Sequence, residues 1–278
     1  TPDYIAMLRT LPINRLSMGI QTFNESILKV LQRRHTARQA IEAFQNCRAA
    51  GFQNISIDLM YGLPGETLST WQQDLDQALL LHPEHLSAYH LIYEEDTVLW
   101  KLREQHKVEE ADEDLSVSLF STLIDRLTSE GYDHYEISNF SLPGLYSRHN
   151  SSYWTEKKYL GCGPSAHSYN GVSRQWNVAS LDTYIKGISA GTPVFEIEEL
   201  DLYTRYNDFV ITRIRTEWGM PLSKLRDEFG EKLYDYCLRM AAPHLKQGTL
   251  ELVNDILKLT RKGIFISDGI MSDMLWTD

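Results

Sequence analysis

The feature that most constrains the fold is an alternation of short apolar runs and amphipathic helical patterns over residues 15 to 140. Four runs are typical of buried strands: RLSMGIQ (15–21), NISIDLMYG (54–62), HLSAYHLIY (85–93) and HYEISNF (134–140). Between them apolar residues recur at helical spacing. Such alternation predicts parallel strands joined by right-handed crossover helices, as an open sheet or a barrel, with ligands at the carboxyl ends of the strands.

The pattern changes after about residue 195. Helical patterns at about 201–217 and 231–247 flank a short one at PLSKLRDEF, and TLELVND-ILKLTRKG reads as a hairpin before a last helix. We therefore predict two domains, a β/α array with a strand and loop region over 1–195, and a winged-helix-like helical cap over 196–278. The chain opens with a helical pattern and no strand, so we expect a partial array with an exposed sheet edge, and possible self-association through it.

Composition and charge limit the function classes. The formal net charge of −11 argues against nucleic acid as a partner, because nucleic-acid binding depends on clustered Lys and Arg. No apolar run approaches the roughly 18 residues of a membrane span, and no basic and apolar leader opens the chain. Three widely separated cysteines fit a reducing compartment better than a disulfide framework, so we expect a cytoplasmic protein.

Polar residues near strand ends are the first candidates for ligand contacts. Gln21 ends the first run, and Asp58 lies within an otherwise apolar one. A buried carboxylate is costly unless it is hydrogen-bonded or faces a wet pocket. The structural alternative is that Asp58 caps a neighbouring backbone or pairs with an arginine such as Arg33.

Three stretches, RLSMGIQTFNESILKVLQRRH, ISIDLMYGLPGET and HLSAYHL, resemble radical S-adenosylmethionine enzymes of the oxygen-independent coproporphyrinogen III oxidase family. The resemblance covers essentially the whole chain. It implies an α/β fold, a partial parallel β/α barrel of the radical S-adenosylmethionine type with the C-terminal cap. It also implies that S-adenosylmethionine is bound by Gln21, by Arg33 at its carboxylate region, by Asp58 at its ribose hydroxyls, and by the backbone of Ile92 at its adenine.

The sequence departs from the family in one respect. Family members open with a C-x-x-x-C-x-x-C motif that holds a [4Fe-4S] cluster, and this motif does not occur here. Cluster ligation needs several thiolates within one small sphere. We therefore expect this chain as it stands to bind no cluster and to be catalytically inactive.

The stretch RHNSSYW (148–154) matches H-N-x-x-Y-W, which the resemblance assigns to a heme chaperone branch of the family. On that reading His149 is an axial ligand of the heme iron, Asn150 orients it or a nearby loop, and Tyr153 and Trp154 form a flat wall against the macrocycle. The alternative is a structural corner in which the aromatic residues fill the core and His149 hydrogen-bonds a backbone carbonyl. In GCGPSAHSYNG (161–171), Cys162 and His167 are further candidates for heme contact.

The resemblance therefore predicts a heme chaperone that binds heme and delivers it to acceptor proteins. One alternative is the coproporphyrinogen III oxidase of porphyrin biosynthesis, an enzyme that needs the cluster motif. Another is a non-catalytic α/β interaction module that binds neither heme nor S-adenosylmethionine.

Overall fold

The computed structural model describes residues 1–277, which form two compact units, one at Thr1–Tyr146 and one that begins at Ser147. The elements of the first unit are α1 (Pro2–Arg9), β1 (Leu16–Gln21), α2 (Glu25–Val30), α3 (Ala37–Ala49), β2 (Ile55–Tyr61), α4 (Leu68–Leu80), β3 (His85–His90), α5 (Val98–Glu104), α6 (Glu113–Ser129), β4 (Asp133–Glu136) and β5 (Asn139–Ser141). They follow the predicted alternation of strands and helices.

The first unit is organised around a five-stranded sheet in the order β1-β2-β3-β5-β4. The pairs β1 with β2 and β2 with β3 are parallel, as the alternation predicts. One face of β2 is fully buried and apolar, with Ile55, Ile57 and Leu59 at 0% exposure. Trp71 of α4 is equally buried and donates its indole N–H to the carbonyl of Leu119 in α6, at 3.0 Å. The helices therefore cover the apolar face and leave the polar side chains on the other.

The prediction of a single strand over 134–140 is wrong. The segment is a hairpin in which β4 pairs antiparallel with β5, and β5 pairs antiparallel with β3. The Glu136 carboxylate stabilises the turn of this hairpin, because it accepts the backbone N–H of Ser138 at 3.1 Å and the side-chain amide of Asn139 at 2.5 Å. A side chain that bonds its own backbone two residues on competes with strand pairing.

Helix starts in the first unit follow the sequence. Thr36 and Gln39 form a capping box at the start of α3. Asp112, within the acidic run 109–114, caps α6 by accepting the N–H of Leu115 at 2.7 Å. Gly51, just past the end of α3, has φ +92°, the left-handed conformation that favours glycine after a helix.

The second unit contains two small antiparallel sheets and six helices within the described residues. Its elements are α7 (Arg148–Trp154), β6 (His167–Tyr169), β7 (Ser173–Asn177), α8 (Leu181–Ser189), β8 (Phe195–Glu199), α9 (Leu202–Ile214), β9 (Met220–Pro221), α10 (Leu222–Gln247), β10 (Leu250–Val253), β11 (Ile256–Leu259), α11 (Arg261–Ile264) and α12 (Ser267–Met274). The sheet orders are β6-β7-β8 and β10-β11-β9. The helices with the β10-β11 hairpin form the predicted winged-helix-like cap.

The compact units divide at 146/147, whereas the sequence placed the domain boundary after residue 195. Residue 195 begins β8, which pairs with β7 along its whole length. In addition, Arg174 of β7 forms an ion pair with Asp208 of α9, at 2.5 Å. The strand and loop region therefore packs with the cap helices. Within residues 1–277, no helix combines the length and apolar character that crossing a membrane requires.

Candidate ligand sites

One face of the first unit's sheet carries a row of polar side chains, which we call the polar sheet face: Ser17 of β1, Ser56 and Asp58 of β2, and His85 and Ser87 of β3. Parallel register brings them together, because Ser17 lies opposite Ser56, which lies opposite His85, and Asp58 lies opposite Ser87. Most are buried, and each has a hydrogen-bond partner. The face is therefore a preformed polar surface.

Asp58 is the acidic group of this face. Its Oδ1 accepts a hydrogen bond from the Ser17 hydroxyl at 3.2 Å. Burial raises the pKa of Asp58, while the hydroxyls of Ser17 and Ser87 and the charge of Arg15 offset part of that rise. No ion pair with Arg33 is found among the described residues, so the alternative of an Asp58–Arg33 pair is wrong. The carboxylate is bonded by hydroxyl groups, which is the donor type of a ribose diol.

Gln21 and Arg33 lie over the neighbouring strand end. The pairing of β1 with β2 has a bulge between Gly19 and Gln21, and Gln21 has φ +72°. A bulge with an unusual backbone conformation re-aims a side chain, and such strain is common at functional sites. A Cβ on Gly19 would lie 2.6 Å from Nε2 of Gln21 and 3.4 Å from Nη2 of Arg33. Both side chains therefore lie across Gly19, which is opposite Asp58 in the register.

The structure thus brings Gln21 and Arg33 together beside the strand position that carries Asp58. Arg33 donates to the carbonyl of Gly19 at 3.4 Å, a long contact that leaves most of its donors available. Ile92 follows the end of β3, and its side chain is 71% exposed. The predicted roles of all four residues toward S-adenosylmethionine stay predictions.

Two buried acids lie beneath the loops that follow β1 and β2. Glu66 accepts the backbone N–H of Gly62 at 2.7 Å and of Leu63 at 3.3 Å, and its other oxygen has no partner among the described residues. Burial raises the pKa of Glu66 to about 7, although these two N–H groups oppose the rise. Asp74 accepts the Thr22 hydroxyl at 2.5 Å, and burial raises its pKa as well. The two carboxyl groups hold the loops at this end of the sheet.

In the second unit, the residues of the H-N-x-x-Y-W motif form α7, whose N-cap is Ser147. The spacing of His149 and Tyr153 places them one turn apart on one face, and Nε2 of His149 lies 3.1 Å from the Tyr153 hydroxyl. The alternative in which His149 bonds a backbone carbonyl is therefore not what is found. Asn150 is half-buried, and its backbone N–H is bonded by the Ser147 hydroxyl at 3.3 Å. The Arg215 guanidinium lies 4.2 Å above the Trp154 ring.

Beside α7 lies a cavity of about 380 Å³, the aromatic cavity. Its aromatic lining residues are Tyr153, Trp154, Tyr159, His167, Tyr169 and Trp176, and its charged ones are Glu156, Lys157, Arg174, Glu198 and Asp208. The volume falls within the range of roughly 300–1,000 Å³ that is typical of small-molecule sites. His149 does not line this cavity, whereas His167 does. The lining offers flat aromatic faces to a planar ligand, and its charged groups are two cations and three carboxylates.

Several residues of these sites were not singled out from the sequence. In the first unit, burial and the charge of Arg15 lower the pKa of His85 to about 3, and the ring is held by Ser56 and Tyr135 at 2.8 and 2.7 Å. In the second unit the cavity residues Tyr159, Tyr169 and Trp176 were missed. The alternation of aromatic and polar residues on β6 and β7 was the available signal. It could not show which face meets α7.

A [4Fe-4S] cluster has no ligand set among the described residues. Among residues 1–277 no group of three or more His, Cys, Asp or Glu side chains lies close enough to hold a metal ion. Cys47 and Cys237 are buried, and burial raises the pKa of both thiols, while Cys162 is exposed. The residues present do not fit a [4Fe-4S] cluster.

Comparison with known proteins gives two family matches. The family described as "Radical SAM superfamily" matches residues 1–78, and the one described as "HemN C-terminal domain" matches residues 200–266. The second match lies inside the predicted cap. The first covers β1, β2 and most of α4, which carry Gln21, Arg33 and Asp58.

Curated relatives match over nearly the whole chain. The heme chaperone HemW of Lactococcus lactis subsp. lactis (strain IL1403) is 31% identical over 279 residues, covering 99% of this chain and 73% of the relative. The heme chaperone HemW of Bacillus subtilis (strain 168) is 29% identical, covering 98% and 72%. Among solved structures, coproporphyrinogen III oxidase (HemN) from Escherichia coli, described as a radical SAM enzyme, has a TM-score of 0.81 at 21% identity, covering 99% of this chain and 67% of that one. The structural match shows the predicted fold.

Proposed function

Because this chain belongs to the radical SAM superfamily, in the family of the proteins named heme chaperone HemW, we propose that it binds heme and passes it to acceptor proteins. The observation that carries the proposal is the aromatic cavity beside α7. Tyr153 and Trp154, the last two residues of the H-N-x-x-Y-W motif, line this cavity. The motif of the heme chaperone branch therefore contributes two of the aromatic rings that a macrocycle would pack on.

Two kinds of side chain in and beside the cavity support heme as its ligand. Aromatic faces pack on the macrocycle, and basic side chains pair with its two propionates. Lys157 lines the cavity, and Arg148 lies on the exposed side of α7. An exposed site suits a cargo that must leave, since a fully enclosed ligand is released only when the protein opens.

Heme binding is tested by titrating the protein with hemin and following the absorbance. We expect saturable binding that Tyr153→Ala weakens by several-fold, because the ring contributes about 0.5–1.5 kcal/mol beyond its buried area. Tyr4→Ala is the matched control, since Tyr4 is an exposed tyrosine of α1 in the first unit. Hemin binding that is absent, or that both variants leave unchanged, contradicts the proposal.

Delivery is tested separately from binding. The heme-loaded protein and an equal amount of free hemin are each mixed with the apo form of a heme enzyme, and recovery of that enzyme is followed. We expect the heme enzyme to recover its activity from the loaded protein faster than the loaded protein loses heme spontaneously to an excess of a passive heme scavenger. Equal rates would mean holding without delivery.

For the first unit we propose that Gln21, Arg33 and Asp58 hold S-adenosylmethionine. The fit is supported by the glycine at position 19, which leaves room for both side chains, and by the hydroxyl-bonded carboxylate of Asp58. Bound there, the cofactor would supply an adenosyl group. Arg33 would grip its carboxylate, Asp58 would accept from its ribose hydroxyls, Gln21 would bond the ribose or amino-acid part, and Ile92 would offer backbone groups to the adenine.

A further inference from the structure

The position of His167 in the second unit distinguishes it from the motif histidine. It lies on β6 opposite Trp176 of β7, with the two rings stacked at 5.9 Å between centroids and 29° between planes. Both residues line the aromatic cavity and also a neighbouring cavity of about 350 Å³. The imidazole therefore lies between the two cavities, and residues of α7 line the aromatic cavity.

The backbone of His167 is held in place by a glycine. A Cβ on Gly161 would overlap the carbonyl group and the backbone nitrogen of His167, so only glycine permits the two chain segments to lie this close. The N–H of Gly161 is bonded by the side chain of Ser168, at 3.0 Å. The glycine-rich stretch therefore serves to fix the strand that carries the histidine.

The two histidines differ in whether their ring nitrogens are engaged. Nε2 of His149 lies within hydrogen-bond distance of the Tyr153 hydroxyl. For His167 no hydrogen-bond partner of either ring nitrogen is found in the part of the chain that the structure describes. A neutral imidazole binds iron through an unprotonated ring nitrogen, and His167 can present one to the cavity without losing a hydrogen bond.

The charged residues of the cavity divide in a similar way. Arg174 is paired with Asp208 at 2.5 Å, and Glu156 accepts from Arg213 and Lys224 at 2.8 Å each. Lys157 lines the cavity, and no ion pair of Lys157 is found within residues 1–277. It is therefore the basic group of the lining that is available to a carboxylate.

We propose that His167 ligates the iron of a heme seated in the aromatic cavity and that Lys157 pairs with one of its propionates. This rests on the proposed function and deepens it by replacing His149 as the ligand. Ligating histidines ordinarily donate their second N–H to a protein acceptor, which strengthens the bond to the metal. Among residues 1–277 His167 has no such acceptor, so we expect its bond to iron to be weak, as release of a cargo requires. The cavity is near the lower end of the usual size range, so an edge of the macrocycle stays within reach of an acceptor.

The test is a titration with hemin and with dithionite-reduced heme, followed by absorbance. The variants are His167→Ala, His149→Ala and the control His106→Asn, an exposed histidine of the first unit whose positive φ asparagine tolerates. We expect His167→Ala to lose the wild-type ligand spectrum and at least roughly 10-fold in affinity, while the other two keep both. Added imidazole should restore the spectrum of His167→Ala, which separates ligand loss from misfolding.

Hemin binding that is absent in the wild type defeats the proposed function. Wild-type binding with an unchanged His167→Ala spectrum defeats this inference alone, as does loss of the spectrum in His149→Ala with retention in His167→Ala.

The role of Lys157 is tested with iron protoporphyrin dimethyl ester, which lacks the propionate charges. We expect Lys157→Ala to weaken hemin binding about 2- to 5-fold, the size of an exposed ion pair, and to leave binding of the ester unchanged. Equal loss with both ligands overturns that role.

Discussion

The polar sheet face of the first unit is built from strand residues whose polar atoms bond one another, whereas the aromatic cavity of the second unit is lined by side chains that stay partly exposed. Asp58, His85 and Ser87 take their positions from strand register and are held before any ligand arrives. Tyr153 and Trp176 are partly solvated and take their positions from a short helix and a small sheet. The first arrangement suits a ligand that is held in one orientation, and the second suits one that enters and leaves.

The two sites also differ in how their acids are stabilised. Beside the polar sheet face, burial raises the pKa of Asp58, Glu66 and Asp74. At the aromatic cavity, burial also acts to raise the pKa of Glu156, but the hydrogen bonds and charges of Lys224 and Arg213 outweigh it and lower the pKa. Asp208, which also lines the cavity, has a raised pKa because burial outweighs its ion pair with Arg174. A raised pKa favours the protonated form and a lowered pKa favours the charged form, so the stability contributions of Glu66 and Glu156 should respond to pH in opposite directions.

The largest expected effect is a loss of stability when a buried tryptophan is removed. Trp71→Ala should lower the free energy of unfolding by about 3–5 kcal/mol, because it empties a fully buried site and removes the indole hydrogen bond to the carbonyl of Leu119. The matched variant in the cavity, Trp176→Ala, should cost only about 1 kcal/mol but weaken hemin binding. Urea unfolding measures both. Equal losses in the two variants would contradict the distinction between the fully packed site of Trp71 and the partly exposed site of Trp176.

The next effect is the pH dependence due to Glu66. The folded-state pKa of about 7 lies above the ordinary 4.5, so its stability contribution is complete below about pH 4.5 and is lost as pH rises through about 7. A difference of that size corresponds to roughly 3 kcal/mol. We expect Glu66→Gln, which cannot ionise, to remove this loss in urea unfolding between about pH 5 and 8. A variant whose stability falls with pH as steeply as the wild type would contradict the assignment.

A smaller effect of opposite sign is expected at Glu156. Its folded-state pKa lies below the ordinary 4.5, so the stabilisation is present above that pH and is lost as pH falls through the folded value. Glu156→Gln should cost about 1–2 kcal/mol at neutral pH, since it leaves Arg213 without its partner in a partly screened site. The cost should vanish in acid. A loss that is the same at pH 7 and in acid would mean that the ion pair contributes nothing.

The smallest effect separates binding from stability. Gly19→Ala places a methyl group 2.6 Å from the Gln21 amide, the end of a flexible side chain that can move away. We expect little change in stability but about a 10-fold loss of S-adenosylmethionine affinity, or roughly 1.4 kcal/mol, measured by calorimetry. Gly269→Ala in α12 is the control, because nothing lies within 4 Å of its added Cβ. Unchanged affinity in Gly19→Ala would remove Gln21 and Arg33 from the proposed site.

The sequence predicted the elements that depend on local periodicity and on caps. Strands β1 to β3, the capping box of α3 and the hairpin β10-β11 all have signals within a few residues. It failed at 134–140, because an apolar run cannot show that Glu136 bonds Ser138 and turns the chain. The two ring nitrogens of His90 lie within hydrogen-bond distance of the Leu91 carbonyl and the Ser116 hydroxyl, and Nε2 of His134 bonds the carbonyl of Ile137.

What the sequence by itself determined is the order and type of the elements, the family, and the residues that stand at the ends of the first two strands. What only the tertiary structure decided is which side chains share a space. The bulge that turns Gln21 toward Arg33 depends on pairing between segments some forty residues apart in the chain. Likewise His167 and Tyr153 line one cavity only because a sheet and a helix pack together. Periodicity is a property of neighbours in sequence, whereas a binding site depends on contacts between segments that the sequence keeps apart.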